Sequence, residues 1–174
     1  MTISEVKKQI RDVLDFPIKG IVFKDITTAL KNPDCLQFFE EKLVEAYKDK
    51  HITQVIGIES RGFILGGAIA SRLHAGFVPV RKPGKLPAET IEVTYKKEYG
   101  TDSIQIHKDA LLPSDTVLIH DDLLATGGTL LATVELIKKF NVKKIYVNTL
   151  IELDFLKGRE VFDKDIELYS ILHY

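Results

Sequence analysis

The first third of the chain mixes short apolar repeats with charged residues. Four apolar residues recur there at helical spacing: Ile3, Val6, Ile10 and Val13. They predict an amphipathic helix that ends before Pro17, because proline disfavours helical geometry in the preceding residue. An irregular extended stretch over 18–26 follows. Asn32 and Pro33 then predict the start of a second helix, with Asn32 as its N-cap.

From residue 55 onwards, continuous apolar strands alternate with helices. Strands are predicted at 55–58, 77–80, 116–120, 144–150 and 166–172, and helices at 62–73 and 128–140. Two further runs, 91–95 and 103–106, alternate with period two and predict an antiparallel hairpin outside the main sheet. This order is typical of an α/β fold with a parallel sheet. We predict a single domain over residues 1–174, with a central, mostly parallel sheet flanked by helices.

Composition and charge narrow the class of protein. The formal net charge is −1, so no basic field recruits nucleic acid or anionic lipid, and an anionic ligand must be held by local geometry. The lone Cys35 cannot form an internal disulfide, and the N-terminal stretch lacks the apolar core of a signal peptide. Apolar runs stay below the ~18 residues that a membrane span needs. We expect a cytoplasmic protein that binds neither nucleic acid nor membranes.

The strongest candidate chemistry lies between residues 117 and 129. A buried strand runs into Asp121 and Asp122, and a loop of small residues then begins a helix. Ligands of open parallel sheets bind beyond the carboxyl ends of the strands. Backbone N–H groups at a helix N-terminus favour an anion, and glycines leave room for a phosphate. The predicted phosphate loop contains Ala125, Thr126, Gly127, Gly128 and Thr129.

The two acids indicate what else the ligand carries. Carboxylates beside a phosphate would repel it unless they bound another part of the same molecule. The 2′ and 3′ hydroxyls of a ribose are donors that Asp121 and Asp122 can accept. Asp-Asp before a turn is often only a solvated N-cap, and Gly-Gly-Thr by itself is a weak signal. The order of strand, acids and loop together favours a ribose 5-phosphate site, and it matches neither a dinucleotide fingerprint nor a Walker loop.

These residues resemble the diphosphoribosyl-binding motif of the type I phosphoribosyltransferases. Further segments are similar to the adenine branch of that family and run in the family's order. They are Phe16–Asp25, Gly57–Phe63, Arg81–Pro87, Lys97–Gly100 and Leu153–Arg159. The resemblance covers nearly the whole chain. Two residues depart from the family pattern: Lys24, where many members carry arginine, and His120, where an aliphatic residue is usual.

The resemblance implies a reaction and an architecture. Enzymes of this branch join adenine to 5-phosphoribosyl-1-diphosphate and release AMP and diphosphate, a step of purine salvage that uses Mg²⁺. We expect the ion to be bound mainly through substrate, and we assign no direct protein ligand to it. The type I fold adds a small hood, about residues 1–32 here, and a flexible hairpin lid, about residues 83–106. A homodimer is also expected.

The family motifs assign the diphosphate to two loops. Glu59, Ser60 and Arg61 follow one strand, and in resembling enzymes this loop often contains a non-proline cis peptide, which we expect at Glu59–Ser60. Arg81, Lys82 and Lys85 follow the next strand and resemble the family's basic diphosphate-binding residues. Each of these charged side chains has an alternative interpretation as a solvated surface residue.

The remaining assignments concern the base and the proton. Glu98 resembles the lid glutamate proposed to donate or accept a proton near adenine N7, and it completes a catalytic set with Arg61, Asp121 and Asp122. Tyr99 is expected to help close the lid. Adenine is expected at Val22, Phe23, Lys24 and Leu123. The backbone around Phe23 reads the base edge, and the Phe23 ring and the Leu123 side chain cover its two faces.

Two alternatives stay open. The phosphate loop would also serve a phosphoribosyltransferase for another base, such as hypoxanthine, guanine, xanthine or orotate. A non-catalytic regulator that senses the phosphoribosyl donor belongs to a different class. Such a regulator would normally need a basic DNA-binding face, which the near-neutral charge does not provide.

Overall fold

A computed structural model describes residues 1–16, 19–20, 22–96 and 100–174 of the chain. The chain divides into two compact units, Met1–Lys42 and Leu43–Tyr174. The predicted organisation as a single domain, with a hood and a lid, stays a prediction.

The first unit is built from short elements. They are α1 (Ile3–Lys7), β1 (Arg11–Leu14), β2 (Val22–Asp25), α2 (Thr27–Leu30) and the start of α3 (Pro33–Tyr47). A capping box begins α1: the Thr2 hydroxyl accepts from the amide of Glu5, whose carboxylate accepts from the Thr2 amide at 2.7 Å. Asn32 caps α3 as predicted, because its side-chain oxygen accepts from the Asp34 amide at 3.0 Å.

The prediction of one helix over residues 3–13 is wrong. α1 ends at Lys7, and Arg11–Leu14 forms a strand that pairs antiparallel with Val22–Asp25. Two ion pairs join the strands: Arg11 with Asp25 at 2.5 Å and Lys24 with Asp12 at 2.6 Å. The ladder satisfies the backbone and sets opposite charges face to face, which outweighs a weak helical period. Of the predicted extended stretch, residues 18 and 21 lie outside the described residues.

The second unit contains the central sheet. Its elements are β3 (Gln54–Ile58), α4 (Gly62–Arg72), β4 (Gly76–Val80), β5 (Thr90–Lys96), β6 (Thr101–His107), β7 (Thr116–Leu124), α5 (Gly128–Lys138), β8 (Lys144–Glu152), two 3₁₀ helices (Asp154–Leu156 and Gly158–Val161) and β9 (Glu167–His173). The sheet has the order β4-β3-β7-β8-β9, and each neighbouring pair is parallel. β5 and β6 form a separate antiparallel pair. The predicted α/β fold class and the hairpin are therefore confirmed.

The core of this unit lies between the sheet, α5 and the hairpin. Buried apolar residues from each contribute to one cluster, among them Ile56, Ile104, Ile106, Val117, Ile119, Leu130, Val134, Ile137 and Val147. Because Ile104 and Ile106 belong to it, the base of the hairpin is anchored by packing against α5. In the part of the chain that the structure describes, no helix is both long and apolar enough to cross a membrane.

The strand before the acids is longer than predicted. The sequence placed its end at His120, whereas β7 continues to Leu124 and stays paired with β8, with Asp121 opposite Thr149 and Leu123 opposite Ile151. The acids are therefore held by a sheet ladder rather than by a turn. Backbone pairing tolerates an acidic residue at the open end of a strand, where its side chain reaches a cleft.

Candidate active site

The carboxyl ends of the parallel strands border two clefts. The first, of about 260 Å³, is lined by Ile58, Glu59, Ser60, Arg61, Val80, Arg81, Lys82, Tyr95, Ile104, Asp121, Asp122 and Thr129. The second, of about 220 Å³, is lined by Arg61 and by the continuous stretch from Asp121 to Leu130. Since both clefts include Arg61, Asp121, Asp122 and Thr129, they adjoin. Acids, phosphate loop and most of the basic residues predicted from the sequence therefore meet at one edge of the sheet.

The two acids occupy different electrostatic settings. Asp122 is buried, and the Nε of Arg61 donates to its carboxylate. Asp121 accepts a hydrogen bond from the Asp122 amide at 2.9 Å. Burial, and then the neighbouring Asp122 carboxylate, raise the pKa of Asp121 well above its ordinary value. The Asp122 carboxylate thus has a cation beside it, whereas burial and an acidic neighbour disfavour the charged form of Asp121.

A glycine brings the arginine to the acids. A Cβ on Gly62 would lie 2.6 Å from the carbonyl oxygen of His120 and 3.3 Å from an Asp121 oxygen. Any larger residue would push the start of α4 away from β7. The absence of a side chain at this position therefore lets Arg61, the residue before it, reach Asp122.

The loops after β3 and β4 are joined by Glu59. The Nε and Nη2 atoms of Arg81 each donate to the Glu59 carboxylate at 3.2 Å, and the Lys82 amide donates to it at 3.0 Å. The Arg81 guanidinium, followed by the Lys82 amide, lowers the pKa of Glu59. The peptide bond between Glu59 and Ser60 is cis, as expected. Lys85 lines neither cleft, and its carbonyl accepts from Arg81 at 3.1 Å.

The hairpin adds two residues that sequence reasoning missed. Asp102 forms an ion pair with Lys82. The Tyr95 hydroxyl lies 3.4 Å from an Asp102 oxygen and 3.1 Å from the Thr129 hydroxyl of the predicted phosphate loop. Tyr95 and Asp102 are direct cross-strand partners, so the hairpin register was the signal that could have paired them.

Glycine also sets the shape of the predicted phosphate loop. Gly127 has φ +86°, a left-handed conformation that favours glycine, and it precedes the first residue of α5. The Gly127 carbonyl accepts from the Leu131 amide at 2.8 Å, so the first helical turn begins directly after the loop. Residues 125–129 line the second cleft together with Leu123. The N–H groups of this helix start are thus next to the two acids.

The residues predicted to bind adenine are in different parts of the chain. Val22, Phe23 and Lys24 form β2 in the first unit, where the Phe23 ring meets the Phe16 ring edge-on at 5.2 Å. Leu123 is in the second unit. Glu98 and Tyr99 lie outside the described residues, so their expected roles stay predictions.

His120, one of the two residues that depart from the family pattern, is fully buried. Its Nδ1 lies 2.6 Å from the side-chain oxygen of Asn148, and burial lowers the pKa of His120 to about 4. A neutral, buried histidine paired to an amide fits the structural role expected for it rather than a role as a metal ligand.

Known proteins match the chain over nearly all of its length. A family model of the phosphoribosyl transferase domain matches residues 27–172. An adenine phosphoribosyltransferase of Bacteroides thetaiotaomicron is 61% identical over 95% of this chain and 94% of its own length. The chain belongs to the adenine phosphoribosyltransferase family. The family and the enzyme class predicted from the sequence are therefore confirmed.

Solved structures of adenine phosphoribosyltransferases share the same fold. The enzyme of Rhodothermus marinus has a TM-score of 0.93 and 48% identity, covering 99% of this chain and 98% of that one. An APRTase of Giardia lamblia, complexed with 9-deazaadenine, has a TM-score of 0.95 and 45% identity, covering 100% of this chain and 98% of that one. The parallel sheet, at whose carboxyl edge the two clefts lie, is therefore part of the fold that this chain shares with its family.

Proposed function

We propose that the chain transfers the 5-phosphoribosyl group of 5-phosphoribosyl-1-diphosphate to adenine, giving AMP and diphosphate in purine salvage. One observation carries this proposal: two acids, a glycine loop at a helix start and a set of basic residues border two adjoining clefts. These three sets of residues could bind a ligand that carries two vicinal hydroxyls, one phosphate and a second, more highly charged phosphate group. Membership of the adenine phosphoribosyltransferase family supports the choice of base.

In this proposal, the sugar phosphate is held in the second cleft. The N–H groups and hydroxyls of residues 125–129 bind the 5′-phosphate, which also gains from the dipole of α5. Asp121 and Asp122 accept hydrogen bonds from the ribose hydroxyls. The raised pKa of Asp121 fits this role, because a ligand donor relieves a carboxylate that has little solvent and an acidic neighbour.

The diphosphate is assigned to the first cleft. Arg61, Arg81 and Lys82 are its cationic ligands, with Ser60 and the backbone beside Glu59 adding polar groups. Each of these cations has a carboxylate partner: Asp122 for Arg61, Glu59 for Arg81 and Asp102 for Lys82. Those pairs hold the cations at the cleft, and the arriving phosphate oxygens compete for the same donors. Lys85 is the weakest of the diphosphate assignments, because it borders neither cleft.

Mg²⁺ fits this site as an ion carried mainly by substrate. The cleft offers carboxylate oxygens at Glu59, Asp121 and Asp122, the ligand type that Mg²⁺ prefers. Arg81 and Arg61 already pair with two of these carboxylates, so most ligands of a bound ion would come from phosphate oxygens, ribose hydroxyls and water. The bound ion supplies charge neutralisation at the leaving diphosphate.

The reaction is a displacement at the anomeric carbon, with positive charge developing on the sugar. In this proposal, the carboxylates of Asp121 and Asp122, which accept from the ribose hydroxyls, also stabilise that charge. Glu98 is the proposed proton donor or acceptor at adenine N7, and the hairpin, with Tyr99, excludes water from the reactive sugar. Base recognition is assigned to Val22, Phe23, Lys24 and Leu123.

A product assay tests this function. The protein is incubated with 5-phosphoribosyl-1-diphosphate, Mg²⁺ and one base per tube: adenine, hypoxanthine, guanine, xanthine or orotate. We expect AMP from adenine and no nucleotide from the 6-oxo bases, whose donor and acceptor order is reversed. Formation of a different nucleotide would support the phosphoribosyl site but would refute adenine as the base. Donor binding without any product would favour a regulator. The homodimer and the cytoplasmic location stay predictions.

A further inference from the structure

One family motif, Leu153–Arg159, lines neither cleft. It contains the first 3₁₀ helix between β8 and β9 and the start of the second, and it packs against the rear of the phosphate loop. A Cβ on Gly158 would overlap the carbonyl oxygen of Ala125 and would lie 3.0 Å from a Leu124 methyl carbon. A Cβ on Gly127 would lie 2.6 Å from the Gly158 carbonyl oxygen. Two glycines thus let one backbone lie directly on the other.

An ion pair fixes the motif in this position. The Nε and Nη2 atoms of Arg159 donate to the two oxygens of Glu152, at 3.0 and 2.5 Å, and its Nη1 donates to the Leu168 carbonyl at 2.8 Å. Burial alone would raise the pKa of Glu152, but the Arg159 guanidinium lowers it, so the pair is ionic. The Leu153 amide donates to the Leu124 carbonyl at 2.9 Å, which joins the start of the motif to the end of β7.

We propose that Gly158 and Arg159, together with Glu152, are positioning residues that shape the 5′-phosphate loop from behind. The proposal rests on the function assigned above to residues 125–129. The front of that loop faces a cleft, so its geometry is set by what it rests on: the backbone of Gly158 and the Val161 side chain, whose Cγ2 would be 2.8 Å from a Cβ at Gly127. Hydrogen bonds weaken steeply with distance and angle, so a small shift of the loop weakens several phosphate contacts together.

This role predicts a split between ligands. Molecules with a 5′-phosphate, namely 5-phosphoribosyl-1-diphosphate, AMP and ribose 5-phosphate, depend on the shape of the loop. Of the residues that line the first cleft, which is assigned to diphosphate, only Thr129 belongs to the loop, and adenine is assigned to residues outside it. A merely structural role for the motif would weaken all of these ligands alike or would lower only the melting temperature.

The sharpest variant is Gly158→Ala, which adds one methyl group where the Ala125 carbonyl lies. Gly67→Ala is the matched control, because Gly67 is an exposed residue of α4 with no atom within 4 Å of an added Cβ. Calorimetric titration with ribose 5-phosphate and with diphosphate is compared in the wild type and both variants. We expect Gly158→Ala to weaken ribose 5-phosphate by about tenfold or more, equivalent to about 1.4 kcal/mol. Diphosphate affinity and the Gly67→Ala values should match the wild type within about twofold.

Arg159→Lys tests the same proposal with a milder change, should Gly158→Ala fail to fold. Lysine keeps the charge but cannot make the two-point contact with Glu152 while also donating to Leu168. We expect a KM for 5-phosphoribosyl-1-diphosphate raised about threefold to tenfold, with the KM for adenine unchanged. Unchanged ribose 5-phosphate affinity in a folded variant, or equal losses for ribose 5-phosphate and diphosphate, would overturn the proposal.

The binding measurement separates this proposal from the proposed reaction. A wild-type protein that binds ribose 5-phosphate but makes no AMP would refute the reaction, and the Gly158→Ala titration would still decide the role of the motif. A wild-type protein that does not bind ribose 5-phosphate would refute both.

Discussion

Replacing Asp121 with asparagine should stabilise the fold while impairing the reaction. The pKa of Asp121 is raised in the folded protein by burial and by Asp122, so the charged form is disfavoured there. Between the unfolded pKa and the raised folded pKa, the folded state binds the additional proton, and stability therefore falls as pH rises. Asparagine has no charge to bury, and its side-chain oxygen can still accept from the Asp122 amide, which Asp121 now does at 2.9 Å.

The two effects have opposite signs. A raised pKa in the folded state costs stability above the unfolded pKa, so we expect Asp121→Asn to increase the free energy of unfolding near pH 8. A hydrogen bond from a ribose hydroxyl to a charged acceptor contributes about 1.5–3 kcal/mol. Its loss should lower kcat/KM by about tenfold to a hundredfold.

Urea denaturation at several pH values between 5 and 8 measures the first effect, and AMP formation measures the second. The stability gain should shrink as the pH falls towards about 4, where the unfolded carboxyl titrates. Asp122→Asn is the matched control, because Asp122 is paired with Arg61 and its side chain is only 5% exposed. That variant should be destabilised by about 1 kcal/mol, moderated because the Arg61 side chain is 43% exposed and can regain water. A larger loss of stability in Asp121→Asn than in Asp122→Asn would refute the electrostatic reasoning.

Three further predictions follow from the other parts of the site and the core. Phe23→Ala should raise the KM for adenine more than that for 5-phosphoribosyl-1-diphosphate in steady-state kinetics. Equal increases in the two KM values would indicate that Phe23 is only a packing residue. Lys82→Gln should raise the KM for diphosphate in the reverse reaction by about tenfold and leave that for AMP unchanged; a larger effect on AMP would contradict the assignment of the first cleft. Because burial lowers the pKa of His120 from 6.5 to about 4, stability should fall as pH decreases through this window, by up to about 3 kcal/mol. The double variant His120→Val with Asn148→Leu should flatten that decrease in urea denaturation, and an unchanged slope would show that other groups cause it.

The strands and helices of the second unit were predictable because their periodicity is strong and continuous. The runs that became β3, β4, β7, β8 and β9 are mostly apolar at successive positions rather than at alternate ones, as expected for strands covered on both faces. The N-terminal unit was harder. Its residues 11–14 fit a weak helical period, but two ion pairs with β2 are formed only when the strands meet. The periodicity of one segment carries no information about partners that another segment supplies.

The family, the order of the elements from β3 to α5 and the expected chemistry of the predicted phosphate loop could all be read from residue types. These depend on residue types at close spacing, such as the acids, small residues and threonines between Asp121 and Thr129. The distant residues that share the site are known only from the folded chain. Tyr95 and Asp102 join it through the hairpin register, and Gly158 supports it through a backbone contact with Ala125. These relations depend on pairing and packing between segments far apart in the chain, which carry no local periodic signal.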